Sequence, residues 1–357
     1  MNSIRQQRLR NQYLSKPSNK NPVDVLKSLA AIQAQDYVGA KWALGQRAKG
    51  TDDKQIEQAL SDGRIVRLHI MRPTWHFVSA EDVRWLLQLT APRVKAATSS
   101  YFRKAGLDDQ VLRRTNKAIS KALFGGRQLT RAELRDAVAR VGIEPGDSTR
   151  FGHILLRAEV DGLICNGARR GKQFTYALLA ERAPRVRILE HDEALSELAL
   201  RYFSTRGPAT LQDFVWWSGL KVADAKRGID INGNRLEKLP IDGRLFWFSP
   251  KKGPANQPQA SRVQLLPLYD EYFIAYKDRS AGLHPKANEL KSDTSLVFDP
   301  PMVMDGRSVG VWEQVLGKTS VKIKLHPFVR LTRGDNAAFR SAAAKYAEFL
   351  GKDLELL

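Results

Sequence analysis

The chain has 357 residues, more than one ordinary core can use, and a hydrophobic fraction of 43% supports roughly two to four folded modules. Lys and Arg exceed Asp and Glu by 58 to 38, a formal charge of +20 with an isoelectric point near 10.1, which favours a polyanionic partner, nucleic acid first. Cys165 is the one cysteine, six histidines form no HExxH pair, and neither GxxxxGK[ST] nor GxGxxG occurs, so disulfide, zinc-ribbon, iron–sulfur, nucleotide-hydrolysing and Rossmann redox chemistry lose their usual signatures and no metal or cofactor is expected.

The N-terminal stretch MNSIRQQRLR is polar and charged, and no apolar run approaches the about 20 residues that cross a bilayer, so a cytoplasmic protein with no membrane partner is expected. Helical periodicity runs through Ile4–Leu14, Val23–Ile32, Val38–Ala48 and Asp53–Leu60. RIVRLHIMRPTWHFV, Arg64 to Val78, then alternates like two short strands joined by a turn. Arg72, Thr74 and His76 would share a face of an unbroken strand, but Pro73 can interrupt it; His76 reads as a satisfied buried histidine and Trp75 as a core residue. Helices follow at Ala80–Leu89 and Pro92–Ala105. The next group is Asp109–Phe124, Arg131–Val141 and Ser148–Val160, with a capping box from Thr130 to Glu133. LICNGARRGKQFTYAL then gives two strands around the turn Gly167 to Lys172. A third group, Asp192–Phe203, Leu211–Ser218 and Lys221–Gly228, leads into RLEKLPIDGRLFWFS, whose Asp242-Gly243 is a strong two-residue hairpin signal.

Short helices ending in a hairpin are the pattern of a winged helix. The division expected is winged helix 1 over residues 1–90, winged helix 2 over 91–186, winged helix 3 over 187–250 and a C-terminal β domain over 251–357. KKGPANQPQASR, Lys251 to Arg262, reads as a linker. Beyond it VQLLPLYDEYFIAYKDR, SLVFDPPMVMDGRSVGVWE and SVKIKLHPFV are β-rich, and a helix from Ala337 to about Leu350 closes the chain. The fold class is therefore α+β, with a sheet or small barrel at the C-terminus. Trp216, Trp217, Trp247 and Trp312 sit in apolar surroundings and read as core.

Three stretches carry candidate function. In LAAIQAQDYVGAK, Leu29 to Lys41, an apolar helix gives way to Gln33 and Gln35, and two residues that far apart serve one site only where a helix ends or unwinds. Asp36 is the nearby group able to take a proton; it also suits the N-cap of the helix from Val38. Arg169, Arg170 and Lys172, in a turn kept slim by two glycines, make a cationic tip suited to a minor groove or a phosphate backbone. In APRVKAATSSYFRKAG, Arg93, Lys95, Arg103 and Lys104 interleave with Thr98, Ser99 and Ser100, equally a phosphate-collecting helix or an exposed amphipathic face.

The Gln33-Ala34-Gln35 element, RPTWHFV at Arg72–Val78, LLPLYDEYFIAYKDR at Leu265–Arg279 and DGRSVGVW at Asp305–Trp312 resemble the AlkZ-type winged-helix DNA glycosylases, over about residues 4–350. The resemblance implies three tandem winged-helix units in a C-shaped arrangement plus a C-terminal β-barrel-like domain. It implies hydrolysis of the N-glycosidic bond of alkylated purines, with unhooking of interstrand crosslinks in some members. Gln33 and Gln35 match the family's two-glutamine element and would be catalytic, with Asp36 a candidate general base; another branch carries Gln-x-Asp, and Asp36 stands one position too late for that. The second winged helix's hairpin would approach the minor groove, a role carried to Arg169, Arg170 and Lys172. The partner implied is double-stranded DNA with alkylated bases, bound by a nucleoid-associated monomer. A non-catalytic tandem winged-helix regulator would share the charge and the wings but has no use for the glutamine pair.

Overall fold

The computed structural model describes residues 2–250, 262–285 and 299–357, and their secondary structure is α+β. Local sequence decides where the helices start. Asn21 accepts the Asp24 amide at 3.0 Å and Pro22 takes a first-turn position, so the second helix is Pro22–Leu29. Asp108 and Asp147 cap Asp109–Leu123 and Ser148–Val160 in the same way. Both halves of the box between Thr130 and Glu133 are present at the start of Arg131–Ala139. Each such cap satisfies an amide that the helix itself cannot, worth about 1 kcal/mol.

The three expected hairpins form. Ile65–His69 pairs antiparallel with Trp75–Ser79, and the strand begins only after Pro73. Ile164–Asn166 pairs with Thr175–Leu178, and Glu237–Ile241 with Arg244–Phe248. In the last, Asp242 (φ 49°) and Gly243 (φ 72°) both take the left-handed conformation that matches the twist of the flanking strands.

Three expectations are corrected. Val83–Lys104 is one helix with Pro92 inside it, not two. A mid-helix proline costs about 3 kcal/mol. The stripe of Leu86, Leu89, Val94, Thr98 and Phe102 stays buried straight through it, and each large apolar side chain there contributes about 1.5–3 kcal/mol, so burial prevails. In LLPLYDEYFIAY the strand ends at Leu265 and a short helix, Glu271–Ile274, follows. Asp270 caps that helix through the Tyr272 amide at 2.8 Å, and residues 271–276 are buried without alternation, which a half-exposed strand does not allow. Among the tryptophans Trp217 and Trp312 are core, Trp247 is half-buried, and Trp216 is 45% exposed, keeping its indole N–H on the Ile274 carbonyl at 3.1 Å. Trp75 is likewise only half-buried, beside the His69 ring. Apart from Arg262, the linker expected at Lys251–Arg262 lies outside the described residues, as do the first residues of SLVFDPP.

The chain forms two compact units. One gathers Met1–Glu57, Ser196–Trp217 and Val222–Leu357; the other is Gln58–Leu195 with Ser218–Lys221. The first holds a five-stranded sheet in which Val263–Leu265, Pro301–Met304, Arg307–Leu316 and Ser320–Pro327 run antiparallel in that order, with Asp353–Leu356 parallel at the edge. Helix Arg333–Leu350, started by a capping box from Thr332 to Asp335, buries Phe339 and Tyr346, and the Tyr346 ring meets Trp312 and Trp42 edge-on. The second unit packs around Leu112, Ile119, Leu134, Phe151 and Ile154.

Candidate active site and nucleic-acid interface

The helix carrying LAAIQAQ stops at Leu29, because Ala30 turns to φ 64° and the chain then runs as the short strand Ile32–Gln33. Asp36, still extended at φ −88° and ψ 108°, leads into the next helix, Tyr37–Gly45. An extended chain sends alternate side chains to alternate faces. Burial follows that rule: Ile32 and Ala34 are fully buried, Gln33 is half-buried and Gln35 exposed. Between the buried Ile32 and Ala34 and the bend at Gln35, the two glutamines are thus the least buried side chains of Ile32–Gln35.

What fixes the segment is a pair of buried ions that sequence reasoning passed over. Glu271, fully buried, accepts the Gln33 amide N–H at 3.0 Å on one oxygen and Arg206 at 2.6 Å on the other, where the Trp217 indole N–H also donates at 2.8 Å. Arg206, also fully buried, donates onward to the carbonyls of Leu29 and Ala31, both at 2.9 Å. The Leu29 and Ala31 carbonyls beyond the helix and the Gln33 amide of the strand are thus all bound by one ion pair. Its neighbour Asp270 holds Arg47 in a two-pronged pair at 2.7 and 2.8 Å, again with neither side chain exposed. Two adjacent acids inside the apolar run LYDEYFIAY were the available signal, since buried carboxylates need partners.

Asp36 occupies the N-cap position but makes no side-chain capping bond. Its carboxylate lies over Gly39, where a Cβ would meet Oδ2 at 2.4 Å and Pro267 at 3.0 Å, so the glycine is what lets the aspartate fold back there. One turn on, Lys41 is buried between Asp53 and Glu57, each at 2.8 Å, and the Tyr37 hydroxyl donates to Glu57 at 3.0 Å.

The cationic residues belong to the other unit. Arg169 is half-buried with its guanidinium 5.4 Å from the Phe174 ring, Arg170 pairs with Glu133 at 2.9 Å and donates to the Gln128 carbonyl at 2.9 Å, and Lys172 is exposed. Along Val83–Lys104, Arg93 donates weakly to the Gly219 carbonyl at 3.4 Å, Lys95 pairs with Asp161 at 2.6 Å, and Arg103 is exposed. The structure thus keeps Arg169, Arg170 and Lys172 together on one turn, while Lys95 and Arg170 already have carboxylate partners. Glu133 sits well below the usual carboxylate range, at about 2, held first by the Thr130 amide and then by Arg170. Burial pushes the Cys165 thiol up to about 12, which leaves it inert at neutral pH. Among the described residues no cluster of three or more His, Cys, Asp or Glu is placed to hold a metal, and no helix is long and apolar enough to cross a membrane. His76 is buried with Nδ1 2.9 Å from the Thr74 carbonyl.

A family model described as DNA glycosylase AlkZ-like matches residues 26–349. The interstrand DNA cross-link repair glycosylase of Streptomyces sahachiroi is 25% identical over 321 residues, 86% of either chain. The solved structure of Streptomyces sahachiroi DNA glycosylase AlkZ superposes with a TM-score of 0.82 at 22% identity, over 100% of this chain and 99% of that one, a likeness of fold.

Proposed function

The chain belongs to the AlkZ-like DNA glycosylase family, a DNA repair glycosylase, and from that premise we propose that it hydrolyses the N-glycosidic bond of purines made cationic by alkylation at N7 or N3. Interstrand crosslinks built on such adducts fall within the same chemistry, and the name of the Streptomyces sahachiroi relative supports that extension. The helix-plus-hairpin segments are read as winged-helix units in tandem, residues 1–90, 91–186 and 187–250, ahead of the β domain, and the enzyme as a cytoplasmic, nucleoid-associated monomer on double-stranded DNA.

A cationic base needs no protonation to leave. The bond from the sugar C1′ to the base nitrogen breaks, and its electron pair neutralises the ring. The sugar left behind is oxocarbenium-like and must meet a water on the correct face. A carboxamide does not take a proton at neutral pH, but its oxygen accepts from that water and its NH₂ donates to a phosphate or a second water. Gln33 and Gln35 orient the nucleophile, and their carbonyl dipoles favour the developing positive sugar. As the water oxygen bonds to C1′, its proton passes to Asp36 or to bulk water. Arg169, Arg170 and Lys172 take the minor groove or its phosphates, and Arg93, Lys95 and Arg103 further phosphates.

The observation that carries this reading is the stretch from the strand Ile32–Gln33 into the bend at Gln35, with Gln33 half-buried, Gln35 exposed and the backbone pinned by Glu271 and Arg206. The test is release of free base from DNA containing N7-methylguanine. Replacing both glutamines by Ala lowers the single-turnover rate by roughly 10³, the scale of losing oriented dipoles at a reacting centre, with DNA affinity nearly intact. A double variant that releases base at the parent rate ends the assignment.

A further inference from the structure

The loop after helix Asp109–Leu123 presents an aromatic ring that the proposed chemistry does not use. Phe124 is 70% exposed, and Gly125, Gly126 and Arg127 beside it are exposed too. Its backbone is nevertheless tied down. The Gly125 and Gly126 amides donate to the two oxygens of Glu181 at 3.1 and 2.6 Å. The Arg127 guanidinium donates back to the carbonyls of Phe124 and Lys121 at 3.1 and 2.9 Å. Both glycines take the left-handed conformation, φ 78° and 75°, with open space where a Cβ would stand, so backbone shape and not crowding requires them.

Gln128 joins this loop to the cationic turn. Its side-chain oxygen accepts the Ala168 amide at 2.6 Å and its carbonyl accepts Arg170 at 2.9 Å. An exposed ring on a stiff loop, flanked by Lys121 and Arg127 and hydrogen-bonded to the turn that bears Arg169, Arg170 and Lys172, combines two kinds of contact. The cations suit phosphates, and the ring suits the face of a base. An apolar protein partner would leave that concentration of positive charge unmatched, whereas a duplex uses both.

We propose that Phe124 stacks on a base of the bound duplex, at a step loosened by the lesion. The inference rests on the reading that the Arg169–Lys172 turn faces DNA, and stacking and phosphate contact leave different signatures. Phosphate contacts release counterions and set the slope of log affinity against log salt, about 0.9 per contact on duplex DNA. Stacking on an aromatic ring releases none.

Binding of the full chain to a short duplex with a single N7-methylguanine is measured by fluorescence anisotropy across a range of KCl. Phe124→Ala weakens binding by about tenfold at every salt concentration with the parent slope, and Phe124→Trp keeps parent affinity. Because the ring is exposed, the thermal midpoints of both variants stay at the parent value. Parent affinity in Phe124→Ala, or a loss that comes with a reduced slope, overturns the stacking. Lys172→Ala is run beside them: a parent slope there overturns the reading of the turn, and that failure is seen independently of Phe124.

Discussion

Gln33 and Arg170 are each held by a carboxylate, Glu271 for the first and Glu133 for the second, but the two carboxylates sit in different media. Glu271 and Arg206 have no exposed surface, and every oxygen and nitrogen that they lock belongs to the segment or to its supports. Glu133 and Arg170 are 41% and 55% exposed, so water and salt compete for both. A buried pair cannot part without stranding a charge; an exposed one can. The first arrangement suits a segment that must position a water molecule. The second suits a cation that must leave its carboxylate when a phosphate arrives.

The comparison is most easily broken at the buried pair. Glu271→Ala leaves Arg206 uncompensated in the interior, and losing one partner of such a pair costs about 3–5 kcal/mol, read as a lower midpoint in urea denaturation. Glu271→Gln keeps the shape and one acceptor oxygen, but its NH₂ faces either the Gln33 amide or the Arg206 and Trp217 donors and Arg206 loses its counter-charge, so it lowers the urea midpoint too, by less than Ala. Its single-turnover excision falls while DNA affinity holds, since the defect lies in the placement of two amides. If Glu271→Gln excised at the parent rate, the pair would be packing alone and the contrast with the exposed turn would lose its meaning.

At the exposed turn the contrast sharpens into a ranking. Lys172→Ala and Arg170→Ala each lower the salt slope by about 0.9 if each side chain meets one phosphate. Their affinity losses differ, however, because Arg170 must first leave Glu133 and Gln128 while Lys172 is exposed. Lys172→Ala therefore loses more affinity in a titration at low salt. An Arg170→Ala protein with an unchanged slope would place Arg170 on Glu133 in the complex as well, making it part of the wing's frame.

The sequence displayed the outer features of both regions and hid their supports. The Asp242-Gly243 turn and the capping box at Thr130 are local, and each was legible because the residues that decide it lie within a few positions of one another, whereas Asp36 takes the expected N-cap position without its capping bond. The switch from helix to strand at Ala30, which leaves Gln33 and Gln35 less buried than Ile32 and Ala34, was legible only as a condition for their acting together. Pro92 misled because its local cost is outweighed by a long-range stripe of burial. The Glu271 clamp was out of reach: its partners Gln33, Trp217 and Arg206 are 238, 54 and 65 residues away in sequence, and no local pattern brings them together. Trp216 and Trp217 show the same limit, since adjacent indoles in one apolar run differ in exposure by the turn of a helix.

The smallest effect concerns Glu133 itself. Its carboxyl is held at about 2 by the Thr130 amide first, then by Arg170 and the Thr130 hydroxyl. A carboxyl lowered in the folded state stabilises the fold above its unfolded value near 4.5, and that contribution fades as pH falls from there toward 2. Arg170→Met removes the second cause and keeps the first, so the Glu133 titration, followed by the NMR shift of its side-chain carboxyl, moves up only part of the way toward 4.5. A full return to 4.5 would make Arg170 the dominant partner and set a high barrier to its leaving for DNA. A midpoint unmoved from about 2 would mean that Arg170 spends its time off Glu133 in solution, already poised for phosphate, and the exposed turn would then differ from the buried clamp even more than its geometry at rest implies.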